Sequence, residues 1–110
     1  MEQPLWLAFD VGTSGVKAAL VRDDGTIFAA AVENYPTHNA AGGVVEQNVE
    51  DWWRAIVTAC QSLGESLKKV SAICVTGQMQ DFILLDRGGM PLCPVILYSD
   101  LRAASEAAEI

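Results

Sequence analysis

Blocks of apolar residues alternate with turn-forming residues along the first third of the chain. Leu5–Val11 is a run of large apolar side chains interrupted by Asp10, and residues 16–21 and 26–32 form two more such runs. Short apolar runs bounded by Gly, Asp and Ser predict strands. Asp23-Asp24-Gly25, between the second and third, predicts a hairpin, because Asp-Gly tolerates the positive φ of tight turns. Only Gly12-Thr13-Ser14-Gly15 separates the first and second, so these also predict a hairpin. The chain therefore opens on three antiparallel strands, the first of which reads as buried.

Residues 34–45 read as a loop broken by Pro36 and Gly42-Gly43. The period then changes. Val49, Trp52, Trp53, Ile56, Val57, Cys60 and Leu63 recur at helical spacing and predict one apolar face. Asn48 is the expected N-cap, and Glu50 and Asp51 suit the positive end of the helix dipole. Gly64 ends or weakens this helix, with a short continuation towards Leu67. Residues 70–76 are apolar and β-branched and predict a fourth, buried strand ending at Gly77. A helix between two strands implies a crossover and a parallel pairing. Residues 78–81 leave that strand as a polar loop. Residues 82–85 and 95–98 predict a further hairpin about a turn at 86–89, and residues 103–110 begin a helix. The fold class is α/β: a mixed sheet with three N-terminal antiparallel strands, a crossover helix and a parallel strand.

A length of 110 residues sets a limit of one domain with one modest core. Hydrophobic residues make up 51%, above the roughly 45–50% usual for such domains. Some apolar surface is therefore expected to pack on chain beyond these residues. The net charge of −7 and the lack of a basic patch argue against nucleic acid as a partner. No apolar run approaches the ~20 residues of a membrane span, so no membrane partner is expected. The N-terminus lacks the basic segment and small-residue cleavage site of a signal peptide. Cys60, Cys74 and Cys93 are odd in number and form no CxxC, so neither a disulfide framework nor a zinc site is expected. A reducing, cytoplasmic setting fits this cysteine usage.

Three segments carry candidate chemistry. The first is the loop after the first strand. Its glycines let backbone N–H groups approach a polyanion closely, and Thr13, Ser14 and Lys17 add donors and charge. Asp10, at the strand end, is placed to hold a hydrated Mg²⁺. This is either half of a nucleotide-phosphate site or a tight hairpin with an incidental Asp. A GxxxxGK[ST] loop is absent, a GxGxxG fingerprint would open a helix, and an aspartic-protease turn would read Asp-Thr/Ser-Gly rather than Asp-Val-Gly. The second segment is residues 78–81, at the carboxyl end of a sheet strand, where α/β sheets place ligands. Its amides either read sugar hydroxyls or sit in a solvated turn. The third is Tyr98-Ser99-Asp100-Leu101-Arg102, where Asp100 either accepts hydrogen bonds from a polyol or caps the last helix, and Arg102 pairs with a carboxylate. His38, the one histidine, reads as solvated, and Trp52 and Trp53 as core or interface.

Taken in order, Phe9-Asp10-Val11-Gly12-Thr13-Ser14, Val45-Glu46-Gln47 with Trp52-Trp53, residues 73–80, Leu85-Asp86 and Tyr98-Ser99-Asp100-Leu101-Arg102-Ala103 resemble the N-terminal part of FGGY-family carbohydrate kinases, in particular the xylulose-kinase branch. The resemblance spans nearly the whole chain. It implies a ribonuclease-H-like (actin/hexokinase-like ATPase) fold and transfer of the γ-phosphoryl of ATP to a sugar hydroxyl with Mg²⁺. It further implies that Asp10 orients the metal, that Gly12, Thr13, Ser14 and Lys17 face the phosphates, and that Met79, Gln80 and Asp100 contact the sugar. The xylulose-kinase branch usually has His where Gln80 stands, Gly where Asp81 stands and Trp where Tyr98 stands, so the implied substrate widens to a pentulose-like sugar or polyol.

Family members are several times longer than 110 residues, and their general-base Asp, second phosphate loop and adenosine pocket come from later sequence. The chain is accordingly expected to be the N-terminal part of the first, sugar-binding domain, to hold no catalytic base, and to be inactive alone. The alternative of another class is a non-catalytic binding or assembly module that retains the fold. In either case an uncovered strand edge favours a homo-oligomer. A sensor ATPase of the same superfamily is disfavoured by the Gln78-Met79-Gln80 and Asp100 segments.

Overall fold

A computed structural model describes residues 3–110. Where the length predicts a single core, the described residues divide into two compact units, 3–35 with 52–78, and 36–51 with 79–110.

The first unit is built on a four-stranded sheet. β1 (Leu5–Val11), β2 (Gly15–Val21) and β3 (Ile27–Asn34) follow one another, and β6 (Val70–Gly77) completes the order β3-β2-β1-β6. β1 and β2 pair antiparallel, as do β2 and β3, while β6 runs parallel to β1. This is the mixed sheet expected from the sequence. α1 (Val49–Leu63) and a 3₁₀ segment (Gly64–Lys69) make the crossover. Asn48 caps α1 as expected, its side-chain oxygen accepting the Glu50 N–H at 3.0 Å.

The core lies on one face of this sheet. Leu5, Leu7, Phe9, Val16, Ala18 and Leu20 meet Ala55, Ala59 and Leu63 of α1, together with Tyr35. The face of α1 differs from the one its large residues predict. Ala55, Ala59 and Leu63 are buried, Trp52, Ile56 and Cys60 pack at the margin, and Trp53 is 67% exposed. Small residues let the helix axis approach the sheet, and the bulkier ones flank that contact. β1 also departs from the buried reading: its burial alternates, with Leu5, Leu7 and Phe9 inward and Trp6 and Asp10 outward.

The larger correction concerns β6. Its apolar, β-branched sequence predicts a buried strand, yet Ile73 and Val75 are 62% and 64% exposed. Both stand in register with core residues, Ile73 with Leu7 and Val75 with Phe9. The buried core beneath α1 draws on β1 and β2, with Ala29 and Ala31 of β3 and only Val70 of β6 packed against it.

The second unit holds a three-stranded sheet of β4 (His38–Ala40), β5 (Val44–Gln47) and β7 (Val95–Ile96), in the order β4-β5-β7 and antiparallel. The loop expected over residues 34–45 is thus in part a hairpin, with Gly42 and Gly43 at its turn, φ 84° and 83°. The expected hairpin of residues 82–85 with 95–98 is reduced to a single bridge, Phe82 with Ile96, while Leu85 bridges Pro91, and Val95 and Ile96 also pair with β5. Val95, Leu97 and Gln47 are buried, and Gln47 Nε2 donates to the Thr37 hydroxyl at 2.8 Å. α2 (Ala104–Ala107) is the expected final helix, four residues long. No helix among the described residues is long and apolar enough to cross a membrane.

Candidate functional site

In the first unit, the alternation of β1 decides which way Asp10 faces. With Phe9 in the core, Asp10 falls on the opposite face of the sheet, exposed. Strand register places Lys17 directly across from it on β2 and Thr76 on β6, with Val32 beyond Lys17 on β3. Carboxylate and ammonium therefore share one row across three strands. A cavity of about 210 Å³ opens beside them, lined by Asp10, Gly12, Thr13, Ser14, Gly15, Lys17, Val32 and Asn34. The structure thus brings together all five residues that the sequence singles out for metal and phosphate.

The loop itself is braced from several sides. Gly12 N–H donates to the Gly15 carbonyl at 2.9 Å, closing the turn. That N–H is consequently committed to the turn, and the loop's capacity for an anion rests on Thr13, Ser14 and Lys17. The Tyr35 hydroxyl donates to the Gly12 carbonyl, and the Tyr35 N–H donates to the Ser14 carbonyl at 3.2 Å. Gln78 N–H reaches the Val11 carbonyl at 2.9 Å. Gly15 is required by contact: a methyl group there would fall 2.8 Å from Asn34 Cα and against the Glu33 carbonyl. Tyr35 stands alone at the end of an apolar run, so no motif marks it in the sequence. Its ring is buried against Trp52, centroids 6.4 Å apart. An aromatic residue immediately before Pro36 was the available signal.

The donor set suits a weakly held, hydrated cation rather than a protein cage. Among the described residues no group of three or more His, Cys, Asp or Glu could hold a metal ion. One outward carboxylate beside a hydroxyl-lined cavity matches Mg²⁺, which keeps most of its waters and takes its remaining ligands from one or two carboxylates and from phosphate.

Met79, Gln80 and Asp100 belong to the second unit. Met79 is 77% exposed. Gln80 is the one non-glycine residue with positive φ among those described, at 67°, a left-handed conformation that costs of order 1 kcal/mol and collects at functional loops. Asp100 does not face outward. Its side chain is 3% exposed, and its carboxylate accepts the Val45 N–H at 2.7 Å, the Arg102 N–H at 2.9 Å and the Arg102 guanidinium at 2.7 Å. Arg102 also reaches Glu46 at 3.0 Å. The Arg102 guanidinium holds the Asp100 carboxyl well below the usual carboxylate range, with the Val45 and Arg102 N–H groups adding to the effect. The expected pairing of Arg102 with a carboxylate is present. Asp100 caps the turn at Arg102 rather than α2, whose start at Ala103 has no side-chain cap. Asp81, beside Gln80, accepts the Tyr98 N–H at 3.0 Å.

A mixed sheet whose central strand ends in an outward Asp, followed by a hydroxyl-bearing hairpin and a helical crossover to a parallel neighbour, is the opening of the ribonuclease-H-like, actin/hexokinase-like fold. The model of the FGGY family of carbohydrate kinases, N-terminal domain, matches residues 5–110, and the chain belongs to that family. It is 38% identical over 104 residues to the xylulose kinase of Klebsiella pneumoniae, covering 93% of this chain and 22% of that protein. It is 36% identical over 109 residues to the glycerol kinase of Xanthobacter autotrophicus, covering 94% and 22%. Among solved structures, the xylulose kinase from Rhodospirillum rubrum superposes with a TM-score of 0.88 at 33% identity, over 96% of this chain and 23% of that one. The chain spans 22% of the length of these curated relatives.

Proposed function

We propose that the chain is the metal- and phosphate-facing opening of an ATP-dependent kinase that phosphorylates a hydroxyl of a sugar or polyol. The observation that carries this reading is the row Asp10, Lys17 and Thr76 beside the hydroxyl-lined cavity of the braced loop. In this reading Asp10 holds a hydrated Mg²⁺ through its outward carboxylate. Thr13 and Ser14 donate to phosphate oxygens, Lys17 supplies a positive charge, and Gly12 keeps the turn tight enough for that approach. Bound Mg²⁺ neutralises and aligns the transferring phosphoryl group. Met79 and Gln80 belong to the sugar side. Asp100, turned inward and engaged by Val45 and Arg102, acts there by shaping its segment rather than by touching the substrate.

Phosphoryl transfer also needs a positioned base and a clamp on the nucleotide's far side. With relatives several times longer, we assign those groups to sequence outside these residues, so the 110-residue polypeptide does not turn over by itself. The test is a full-length kinase carrying these residues, assayed with ATP, Mg²⁺ and a panel that includes D-xylulose and glycerol. Asp10→Ala is expected to lower turnover by at least about a hundredfold, the scale of removing one electrostatic contact to a developing charge. Activity close to the parent's would remove Asp10 from the metal site, and turnover by the 110-residue chain would remove the division of labour.

A reading as an assembly module has one observation in its favour. β6 is an edge strand with no charge and no proline, the kind that pairs with another chain. Sedimentation velocity of the 110-residue chain at rising concentration checks it. Self-association is the expected outcome of that reading, and a single monomeric boundary throughout would retire it.

A further inference from the structure

The second unit contains a contact for which the sugar-kinase reading has no assigned role. Asp81 follows the sharply bent Gln80, and its Oδ1 accepts the Tyr98 N–H at 3.0 Å. One residue on, Phe82 and Ile96 exchange both backbone hydrogen bonds, at 2.8 and 3.0 Å. On either side of Tyr98 the main chain is held by backbone hydrogen bonds. Leu97 N–H donates to the Val45 carbonyl at 3.0 Å, and Asp100 N–H returns to the Leu97 carbonyl at 2.9 Å. The Tyr98 N–H is thus taken by a side chain of the loop leaving β6, while its neighbours are fixed by backbone. Asp100 is tucked inward, whereas Met79 and Gln80 of the one segment and Tyr98 and Ser99 of the other are exposed.

We infer that Asp81 is a positioning residue: its carboxylate couples the loop leaving β6 to the turn at residues 97–100, so that Met79, Gln80 and Tyr98 present one surface to a neutral polyol. The inference rests on the sugar-kinase reading for the identity of the ligand. Chemically the surface suits that class. The Gln80 amide and the Tyr98 phenol each donate and accept, which matches hydroxyl groups. The Tyr98 ring and the Met79 thioether offer apolar contact to the C–H faces of a sugar. Asp81 acts on this surface through the Tyr98 backbone, and an uncharged acceptor at the same place performs the same task.

The prediction distinguishes a neutral acceptor from a charge. Backbone amide exchange in the 110-residue chain is followed by NMR for the parent, Asp81→Asn and Asp81→Ala, and each is titrated with D-xylulose and with glycerol. Asp81→Ala is expected to speed exchange at Tyr98 about tenfold, the scale of one lost hydrogen bond, with the amides of β1 unchanged. Asp81→Asn keeps an oxygen acceptor and is expected to retain both the protection and the polyol-induced shifts at Gln80 and Tyr98. Unchanged Tyr98 exchange in Asp81→Ala overturns the inference. So does an Asp81→Asn chain that keeps its Tyr98 protection but loses its polyol response, since Asp81 would then act on the ligand through its charge. If Tyr98 exchange responds as expected but the parent chain shows no shift with either polyol, the coupling stands and the sugar assignment above fails.

Discussion

Asp100 and Arg102 show how one residue pair can be read from sequence in type but not in role. An Asp two residues before an Arg announces charge pairing, and nothing in the spacing reveals that Val45, far earlier in the chain, supplies the third partner. The pair has a pH consequence. The Asp100 carboxyl is held below its ordinary value of 3.8, first by hydrogen bonding to Arg102. A carboxylate depressed in the folded state stabilises the protein above its unfolded pKa, and that contribution is lost as pH falls towards the folded one. Arg102→Leu removes the main cause of the depression. The melting temperature of the variant should therefore lie below that of the parent at pH 6, and the gap should narrow as the pH drops below about 4. A gap that is constant from pH 6 to pH 2 would assign the effect to packing of the Arg102 stem.

At the scale of elements, apolar strands of one sheet differ in burial. Leu20 of β2 is fully buried beneath α1, whereas Ile73 of β6 lies in register with the core yet stands in the open. Leu20→Ala is expected to cost about 2–5 kcal/mol in urea denaturation, the range for buried leucines. Ile73→Lys is expected to change stability by no more than about 0.5 kcal/mol, as for exposed positions generally. Equal losses would mean that β6 is covered in solution. The order of strands, both opening hairpins, the crossover and the N-cap at Asn48 were legible, because each rests on local signals: apolar runs, Asp-Gly, a 3.6-residue period. Burial was less so. A run such as residues 70–76 records that a strand suits an apolar neighbour, and it carries no information on whether that neighbour lies within these residues. The short β4 and β5 were missed because three or four residues with polar members show no alternation long enough to read. Trp53 misled for a related reason, since a helix presents its smallest residues where it comes closest to a sheet.

For the whole molecule, composition and structure agree on an excess of apolar surface. A hydrophobic content of 51% finds its outlet in Ile73, Val75 and Trp53, which are exposed, while the buried cluster of the first unit is made from other residues. The grouping of Asp10 with Lys17 beside the Gly12–Gly15 turn was legible, because residues 10–17 are contiguous in sequence and strand register alone pairs the two. Tyr35, Asp81 and the inward turn of Asp100 were not, because each acts across loops whose course no local pattern specifies. The two units also differ in how their exposed polar groups are held. Asp10 is fixed by strands paired on both its sides, whereas Tyr98 is anchored at its amide by one carboxylate. That contrast bears on how such a gene can diverge after duplication. A substitution at Gln80 or Tyr98 falls in a different unit from the strands that hold Asp10, so one surface can change while the other is kept. On the proposed kinase reading, a lineage can therefore try new diets one nucleotide at a time without relearning how to handle its energy source.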